Sequence, residues 1–328
     1  MDIKKILINK ITYSQILSKV TFYVARHNFF MDIPLLKIPL YWWIKRSIKI
    51  NKGFPKTIII ENTNHCNSKC DFCPHSTMKR KKGVMNLDLF KKIIDECAEN
   101  NVSTVSLSGF GEPLIDKIIF VKTKYAKQKG IPLVRFVTNG SLLTPEASKK
   151  LIDAGLDEIS ISLEGFEKET YEKYRKGLNF DTIMYNLKSL KQLRRDKKKP
   201  KIILTTIDME EDGGNIKKHK KIFKDIYDII FIKKLADWAG QKSEYAQDFV
   251  SRKIPCNYLW THFNIAWNGD VCLCCRDSCE CRVILGNVKQ NSIKEIWHGS
   301  KYEKYRKAQF EGRDIFPCNE CKYNPIWF

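Results

Sequence analysis

The sequence predicts an α/β fold, a parallel sheet flanked by helices and followed by a small cysteine-rich domain. Two observations predict it. Between residues 57 and 233 short runs rich in Val, Ile and Leu alternate with amphipathic stretches, and beyond residue 255 clustered cysteines replace that rhythm. A chain of 328 residues can bury one large core with an appendage, and 43% hydrophobic with 12% aromatic residues marks it as globular.

The first 54 residues read as a separate leader. Tyr13, Ile16, Leu17, Val20, Tyr23 and Val24 recur at helical spacing, and the stretch from Pro34 to Trp43 is apolar and interfacial. Residues 1–52 hold ten Lys or Arg against two Asp. Such a segment suits either peripheral contact with an anionic membrane or a helix packed outside the main domain. No run approaches the ~18 apolar residues of a spanning helix. No apolar segment ends in a small-residue cleavage site either, so a cytoplasmic location is expected.

Strands are expected at Thr57–Glu61, Thr104–Ser108, Leu133–Thr138, Glu158–Leu163, Ile202–Ile207 and Ile229–Lys233. Helices are expected between them, among them Leu87–Glu99 after the cap Asn86, and Thr144–Ala154 with Pro145 in its first turn and Gly155 at its end. Repeated βα units build a parallel sheet, open or curled, and six units fall short of a complete barrel. Ligands collect at the C-terminal ends of such strands. Residues 55–237 form this core, 238–254 a polar linker, and 255–328 the cysteine-rich domain. In that domain His262–Trp267 and Asp270–Cys274 around Asn268-Gly269 read as a hairpin, and Ser292–Ala308 as a helix. The tail shows little apolar periodicity and needs a staple, for which metal is the obvious choice.

Twelve cysteines are many for a cytosolic chain, where thiols stay reduced and metal binding is the leading explanation. Three fall in Cys66-Asn67-Ser68-Lys69-Cys70-Asp71-Phe72-Cys73 directly after the first strand, and eight follow residue 255. Closely spaced thiolates on one loop can grip three corners of an iron–sulfur cube and leave the fourth iron open. Zinc would want a fourth ligand, which His65 or His75 could supply. The net charge of +21 points to an anionic partner or to a compositional bias toward lysine.

The C-x3-C-x2-C triad, with an aromatic before its last cysteine, resembles the radical S-adenosylmethionine (SAM) superfamily over residues 57–235. The resemblance implies a partial (β/α)6 TIM-like barrel. It also implies a [4Fe–4S] cluster on Cys66, Cys70 and Cys73, whose open iron is chelated by SAM. In that family the reduced cluster cleaves SAM to a 5′-deoxyadenosyl radical that abstracts hydrogen from substrate. Gly109-Phe110-Gly111-Glu112-Pro113 resembles the motif that contacts the SAM amino group, with glycines admitting the backbone and Glu112 accepting from the ammonium. By the same resemblance Phe72, Asn139, Ser162, Glu164 and Arg175 are cofactor-binding, Ser162 at the ribose and Arg175 at the carboxylate. Capping and turn roles are the plainer reading of these residues.

The tail resembles the SPASM/twitch cap of the same enzymes. Its landmarks are Cys256, Gly269 followed five positions later by Cys274, Leu285-Gly286-Asn287, Ile296-Trp297 and Cys318-x2-Cys321. The resemblance makes Cys256, Cys274, Cys318 and Cys321 the ligands of one auxiliary [4Fe–4S] cluster and leaves Cys272, Cys275, Cys279 and Cys281 surplus. The function expected is hydrogen abstraction from a polar substrate, leading to dehydrogenation or epimerisation of a sugar or cyclitol, with peptide modification as the alternative. Asp237, just past the sixth strand, is the candidate catalytic residue. Expected partners are a small-molecule or peptide substrate of anionic character and a flavodoxin or ferredoxin as electron donor. A zinc-ribbon nucleic-acid binder would suit the charge but needs no Gly-Glu-Pro after a second strand, so no nucleic acid is expected. An electron-transfer module would need only four-cysteine sites.

Overall fold

The computed structural model describes residues 53–165, 167–207, 223, 225–242, 244, 255–313 and 315–322. Apart from Gly53 and Phe54, the expected leader lies outside the described residues. Among those described, no helix is long and apolar enough to cross a membrane.

Six parallel strands stand side by side in chain order: β1 Thr57–Ile60, β2 Thr104–Ser106, β3 Leu133–Thr138, β4 Glu158–Ser162, β5 Lys201–Ile207 and β6 Ile229–Lys233. Between them run α1 Leu87–Glu99, α2 Ile119–Gln128, α3 Pro145–Asp153, α4 Lys168–Tyr174 and α5 Phe180–Arg194. Their starts are encoded locally. Asn86, Thr144 and Asn179 each accept a backbone N–H of the first turn, and Pro145 opens α3 where a missing N–H costs nothing.

Strand alternation sorts the side chains. Ile58, Ile60, Val105, Leu107, Val134, Phe136, Ile159, Ile161, Ile202 and Leu204 point outward into one core with Phe90, Ile93, Leu151, Ile183 and Leu187 of the helices. The opposite face carries Ile59, Ser106, Arg135, Val137, Ser160, Ser162, Thr205, Phe231 and Lys233, aligned by the strand registers. A closed barrel fills such positions with bulky aliphatics. Here several are small and polar, and Val137 and Phe231 are 41% and 50% exposed, so the inner face lines an open lumen.

The tail departs from expectation in three ways. Its hairpin, β7 His262–Ile265 and β8 Asp270–Cys272, does not stand apart: β7 pairs parallel with β1 and extends the same sheet, and β9 Ile284–Asn287 closes its edge. Nor does the tail lack a core. Phe263, Trp297 and Tyr302 are fully buried, Phe263 stacks on Tyr302 at 6.0 Å, and all three join the main core. Periodicity does not announce this, because the aromatics come from a four-residue strand, a five-residue helix and an eleven-residue helix of otherwise mostly polar sequence. The single helix expected over Ser292–Ala308 is broken into α6 Ile293–Trp297 and α7 Ser300–Phe310, where Gly299 takes an extended conformation (ψ 154°) as the N-cap of α7. Trp297→Ala should cost about 3–5 kcal/mol, the usual price of emptying a buried aromatic site. A urea titration followed by tryptophan-independent far-UV circular dichroism would show it as a lower midpoint.

Candidate functional site

The triad sits on the loop after β1, where a parallel sheet gathers ligands. A short antiparallel pairing sets Lys69 opposite Lys176 and Cys70 opposite Arg175, so the loop is laid against the chain leaving α4. The sulfurs are furnished with donors. The backbone N–H of Ser68 reaches Cys66, that of His75 reaches Cys73, and the Ser68 hydroxyl lies 3.1 Å from the Cys70 sulfur. Burial pushes the Cys66 thiol up and the Cys73 thiol up to about 12, so metal must displace protons to bind here. His75 is spoken for, with Nε2 at 2.8 Å from the Asn64 carbonyl. Among the described residues no three His, Cys, Asp or Glu side chains converge on a single ion. A four-iron cluster takes each thiolate on a different iron and needs no such convergence. Soft, donor-supplied thiols therefore fit a cluster better than zinc.

The Gly-Phe-Gly-Glu-Pro loop braces this approach. A Cβ at Gly111 would stand 2.3 Å from the Thr63 carbonyl oxygen and 2.7 Å from that of His65, and one at Gly109 would stand 2.4 Å from Glu61 Cγ. The Glu112 N–H donates to the His65 carbonyl at 2.8 Å. The two glycines are thus required by the chain leading to Cys66. Glu112 is buried, which raises its pKa, and its carboxylate accepts from the Leu114 N–H, the Thr138 hydroxyl and the Asn139 N–H. Asn139 in turn donates to Asn67 Oδ1 at 2.8 Å, and the Asn67 amide donates to Ser141. Asn67, which carries no motif signal, therefore couples the triad to the end of β3.

Glu164 and Arg175 form a buried ion pair, and the guanidinium lies 5.4 Å from the centre of the Phe72 ring. Burial opposes the Arg175 charge, but Glu164 and the Cys70 sulfur hold its pKa above the ordinary value. Ser162 ends β4 on the lumen face with no side-chain hydrogen bond among the described residues. Phe72, Glu112, Asn139, Glu164 and Arg175 are therefore brought to one end of the sheet around the triad.

At the second site Cys256, Cys274, Cys318 and Cys321 line one largely apolar cavity with Ala239, Leu259 and Leu273. Burial drives the Cys274 thiol well above its usual range, with the neighbouring Cys275 and then the Cys256 and Cys318 sulfurs adding to the effect. Cys275 does not line the cavity and is bonded by the Tyr258 hydroxyl instead. Four soft thiols around one space fit a fully ligated cluster. Of the surplus cysteines, Cys272 and Cys281 are joined in a disulfide with Cα atoms 5.1 Å apart, and Cys279 is fully buried.

The two sites are tied by contacts that no motif announces. Arg80 forms a bidentate pair with Glu61 and donates to the carbonyls of Ser278 and Cys279, while Glu280 accepts from the backbone N–H groups of Lys79 and Arg80. The Trp238 indole donates to the Phe72 carbonyl at 2.9 Å and packs edge-on against Phe110 at 5.0 Å. The next residue, Ala239, already lines the second cavity. Trp238, Ala239 and Gly240 all have positive φ (50°, 57° and 85°), a strained turn that the contacts on both sides hold in place. Asp237 is 3% exposed and accepts from the Lys322 N–H at 2.6 Å beside Cys321, so its carboxylate faces the second site.

The chain matches the Radical SAM superfamily over residues 60–213 and the SPASM iron–sulfur cluster-binding domain over residues 256–322. It belongs to the radical SAM superfamily and carries a SPASM domain at its C-terminal end, with SAM, a [4Fe–4S] cluster at the SAM site and auxiliary iron–sulfur as its cofactors. Among its relatives, a PqqA peptide cyclase of Bradyrhizobium diazoefficiens is 26% identical, covering 87% of this chain and 83% of its own. An AdoMet-dependent heme synthase of Methanosarcina barkeri is 38% identical over 122 residues, which is 37% of this chain and 34% of the relative. The chain thus spans about a third of that enzyme, and 40% of a probable GTP 3′,8-cyclase of Methanococcus maripaludis. Streptococcus suis SuiB, solved bound to precursor peptide SuiA, superposes with a TM-score of 0.64 at 15% identity over 80% of this chain and 69% of its own. BtrN, solved with AdoMet and 2-DOIA, gives 0.58 at 19% over 79% and 88%. At these identities the two likenesses describe the fold.

Proposed function

We propose that this radical SAM enzyme modifies a peptide. The observation that carries the reading is the match to a PqqA peptide cyclase, which runs through both the triad domain and the cysteine-rich domain, whereas the heme synthase aligns over 37% of the chain. An open, partly polar lumen beside the triad suits an extended substrate. The sugar or cyclitol reading expected from the sequence becomes the second choice, because only fold likeness favours it.

Cys66, Cys70 and Cys73 would hold the first cluster, and Cys256, Cys274, Cys318 and Cys321 one auxiliary cluster. Bound there, SAM and the cluster supply reductive carbon–sulfur cleavage and abstraction of a substrate hydrogen. The protein's own part is positional. Glu112 offers its remaining lone pairs to an ammonium, Arg175 a guanidinium to a carboxylate, and Ser162 a hydroxyl to a ribose. The Arg80–Glu61 pair and Trp238 hold the triad loop in register with the SPASM domain. Reducing power would come from a flavodoxin or ferredoxin.

The reading is tested by incubating anaerobically reconstituted enzyme, dithionite and SAM with two panels, one of short peptides and one of sugars and cyclitols. 5′-Deoxyadenosine should rise above the substrate-free rate with peptides, and a responding peptide should lose 2 Da or, on epimerisation, gain one deuteron from D2O. A response confined to sugars or cyclitols would reverse the order of the two readings.

A further inference from the structure

The inner face of the sheet holds charged and amide groups that neither cluster accounts for. Arg135 on β3 and Lys233 on β6 lie on the lumen side, because their neighbours Val134 and Phe136 enter the helix-side core and Lys233 is registered with Ile207, two residues beyond Thr205. Arg135 is only loosely held. Among the described residues its one ion pair is with Glu158 at 3.9 Å, and its side chain is 43% exposed. Lys233 is exposed to the lumen and has no carboxylate within ion-pair distance among the described residues. Its electrostatic neighbours are Glu164, Arg276, Cys275 and Arg135. Of these, Glu164 is committed to Arg175, and the nearby Asp237 to the Lys322 N–H and Arg276. The enclosing walls disfavour the Lys233 charge and lower its pKa.

An independent observation lies on β7. Asn264 is 2% exposed, yet neither its amide oxygen nor its nitrogen has a hydrogen-bond partner among the described residues. Phe263 and Ile265 on either side enter the core, so Asn264 faces the lumen side with His262, in register with Ile59. A buried amide without partners costs free energy unless something supplies them. His262, within electrostatic reach of Arg135, has its pKa lowered to about 4 by burial and then by that cation, so it stays neutral and adds no charge. An uncompensated ammonium, a loosely held guanidinium and an unpartnered amide on one concave face have a common complement: an anionic oxygen group flanked by amides.

We propose that Arg135, Lys233 and Asn264 form a carboxylate-recognition subsite in the lumen, which selects a peptide bearing an aspartate or glutamate side chain. The proposal rests on the peptide reading above. It adds the residue class that the peptide presents. Arg135 supplies a fork for the carboxylate and Lys233 a point charge. Asn264 donates to and accepts from the adjoining backbone. These are specificity residues with no part in the chemical step.

The test is protection of Lys233. Reconstituted holoenzyme is treated briefly with N-acetoxysuccinimide, and acylation of Lys233 is measured by peptide mapping against exposed Lys56. Probes at millimolar concentration are acetyl-Ala-Glu-Ala-amide, its Gln counterpart, glucose 6-phosphate, and SAM alone. The Glu peptide should slow labelling of Lys233 about tenfold relative to the Gln peptide, the discrimination of a charge-assisted hydrogen bond. Arg135→Gln should erase that difference while labelling in the free enzyme persists. Equal protection by the Gln peptide, or no protection by either, would overturn the subsite. Protection by SAM alone would assign Lys233 to the cofactor, and protection by the phosphate only would replace the carboxylate; either outcome defeats the proposal. Because labelling is read without turnover, the subsite can stand even where no peptide is converted, and can fall where one is.

Discussion

Replacing Cys66, Cys70 and Cys73 together with Ala is expected to abolish reductive SAM cleavage and to lower iron from about eight to about four atoms per chain, with sulfide to match. The three thiols share one loop and are supplied with donors by Ser68 and His75, so removing them empties one site. The second site should survive, because its four thiols line a separate cavity. Its fold is also anchored independently, by β7 on β1 and by the buried Phe263, Trp297 and Tyr302. Addition of SAM should perturb the electronic spectrum of the wild type and leave that of the variant unchanged, since only a three-thiol cluster keeps an iron open. Cys274→Ala should instead remove the auxiliary iron and destabilise the tail. Cys275→Ala, whose thiol does not line the cavity, should spare both. Iron and 5′-deoxyadenosine assays on anaerobic protein decide all of this. Cleavage that persists in the triple variant would be fatal to the assignment, and about twelve irons per chain would mean that further cysteines bind a cluster.

What the sequence made legible follows from how local each signal is. The strands, the cap Asn86 and the first-turn Pro145 depend on residues a few positions apart, and the structure shows them where pattern and helix-start chemistry predict. The triad was readable for the same reason: its three cysteines share one loop. The pairing of β7 with β1 joins segments from opposite ends of the chain, and no periodicity records such a register. The tail's core was hidden because Phe263, Trp297 and Tyr302 converge from three separate elements, a four-residue strand, a five-residue helix and an eleven-residue helix whose other positions are mostly polar. Arg80 with the Ser278 and Cys279 carbonyls, and Trp238 with the Phe72 carbonyl, are single side chains reaching between distant segments. Asn264 looked like any strand residue until both its neighbours were seen to be in the core. The glycines near Glu112 were read as openings for a cofactor, whereas their tightest constraint is the backbone of residues 63–65 for Gly111 and the side chain of Glu61 for Gly109.

That constraint makes Gly111→Ala the most damaging alanine substitution to be expected among the described glycines. The added carbon would lie 2.3 Å from the Thr63 carbonyl oxygen, 2.7 Å from the His65 carbonyl oxygen and 2.9 Å from Asn64 Cα. All three are backbone atoms, so no rotamer change can relieve the contact, and overpacking of this kind costs about 1–3 kcal/mol. The displacement would fall on a chain that is pinned from several sides. His65 accepts from the Glu112 N–H at 2.8 Å, the Thr63 hydroxyl donates to the Gly83 carbonyl at 2.9 Å, and the Asn64 amide donates to the Lys81 carbonyl at 3.0 Å. Cys66 follows directly, so a shift here moves the first thiol of the triad relative to Cys70 and Cys73. A misplacement of about 1 Å at a positioned site costs on the order of a hundredfold in rate. SAM cleavage in Gly111→Ala should therefore fall by about that factor, with reduced iron loading at the triad and auxiliary iron retained. Gly53→Ala, where an added Cβ meets nothing within 4 Å, is the matched control and should behave as wild type. Gly109→Ala should lie between the two, because the obstructing Glu61 is a side chain, though one held by Arg80. A Gly111→Ala enzyme that cleaves SAM at the wild-type rate would show that the stapling of these two loops does not position the triad.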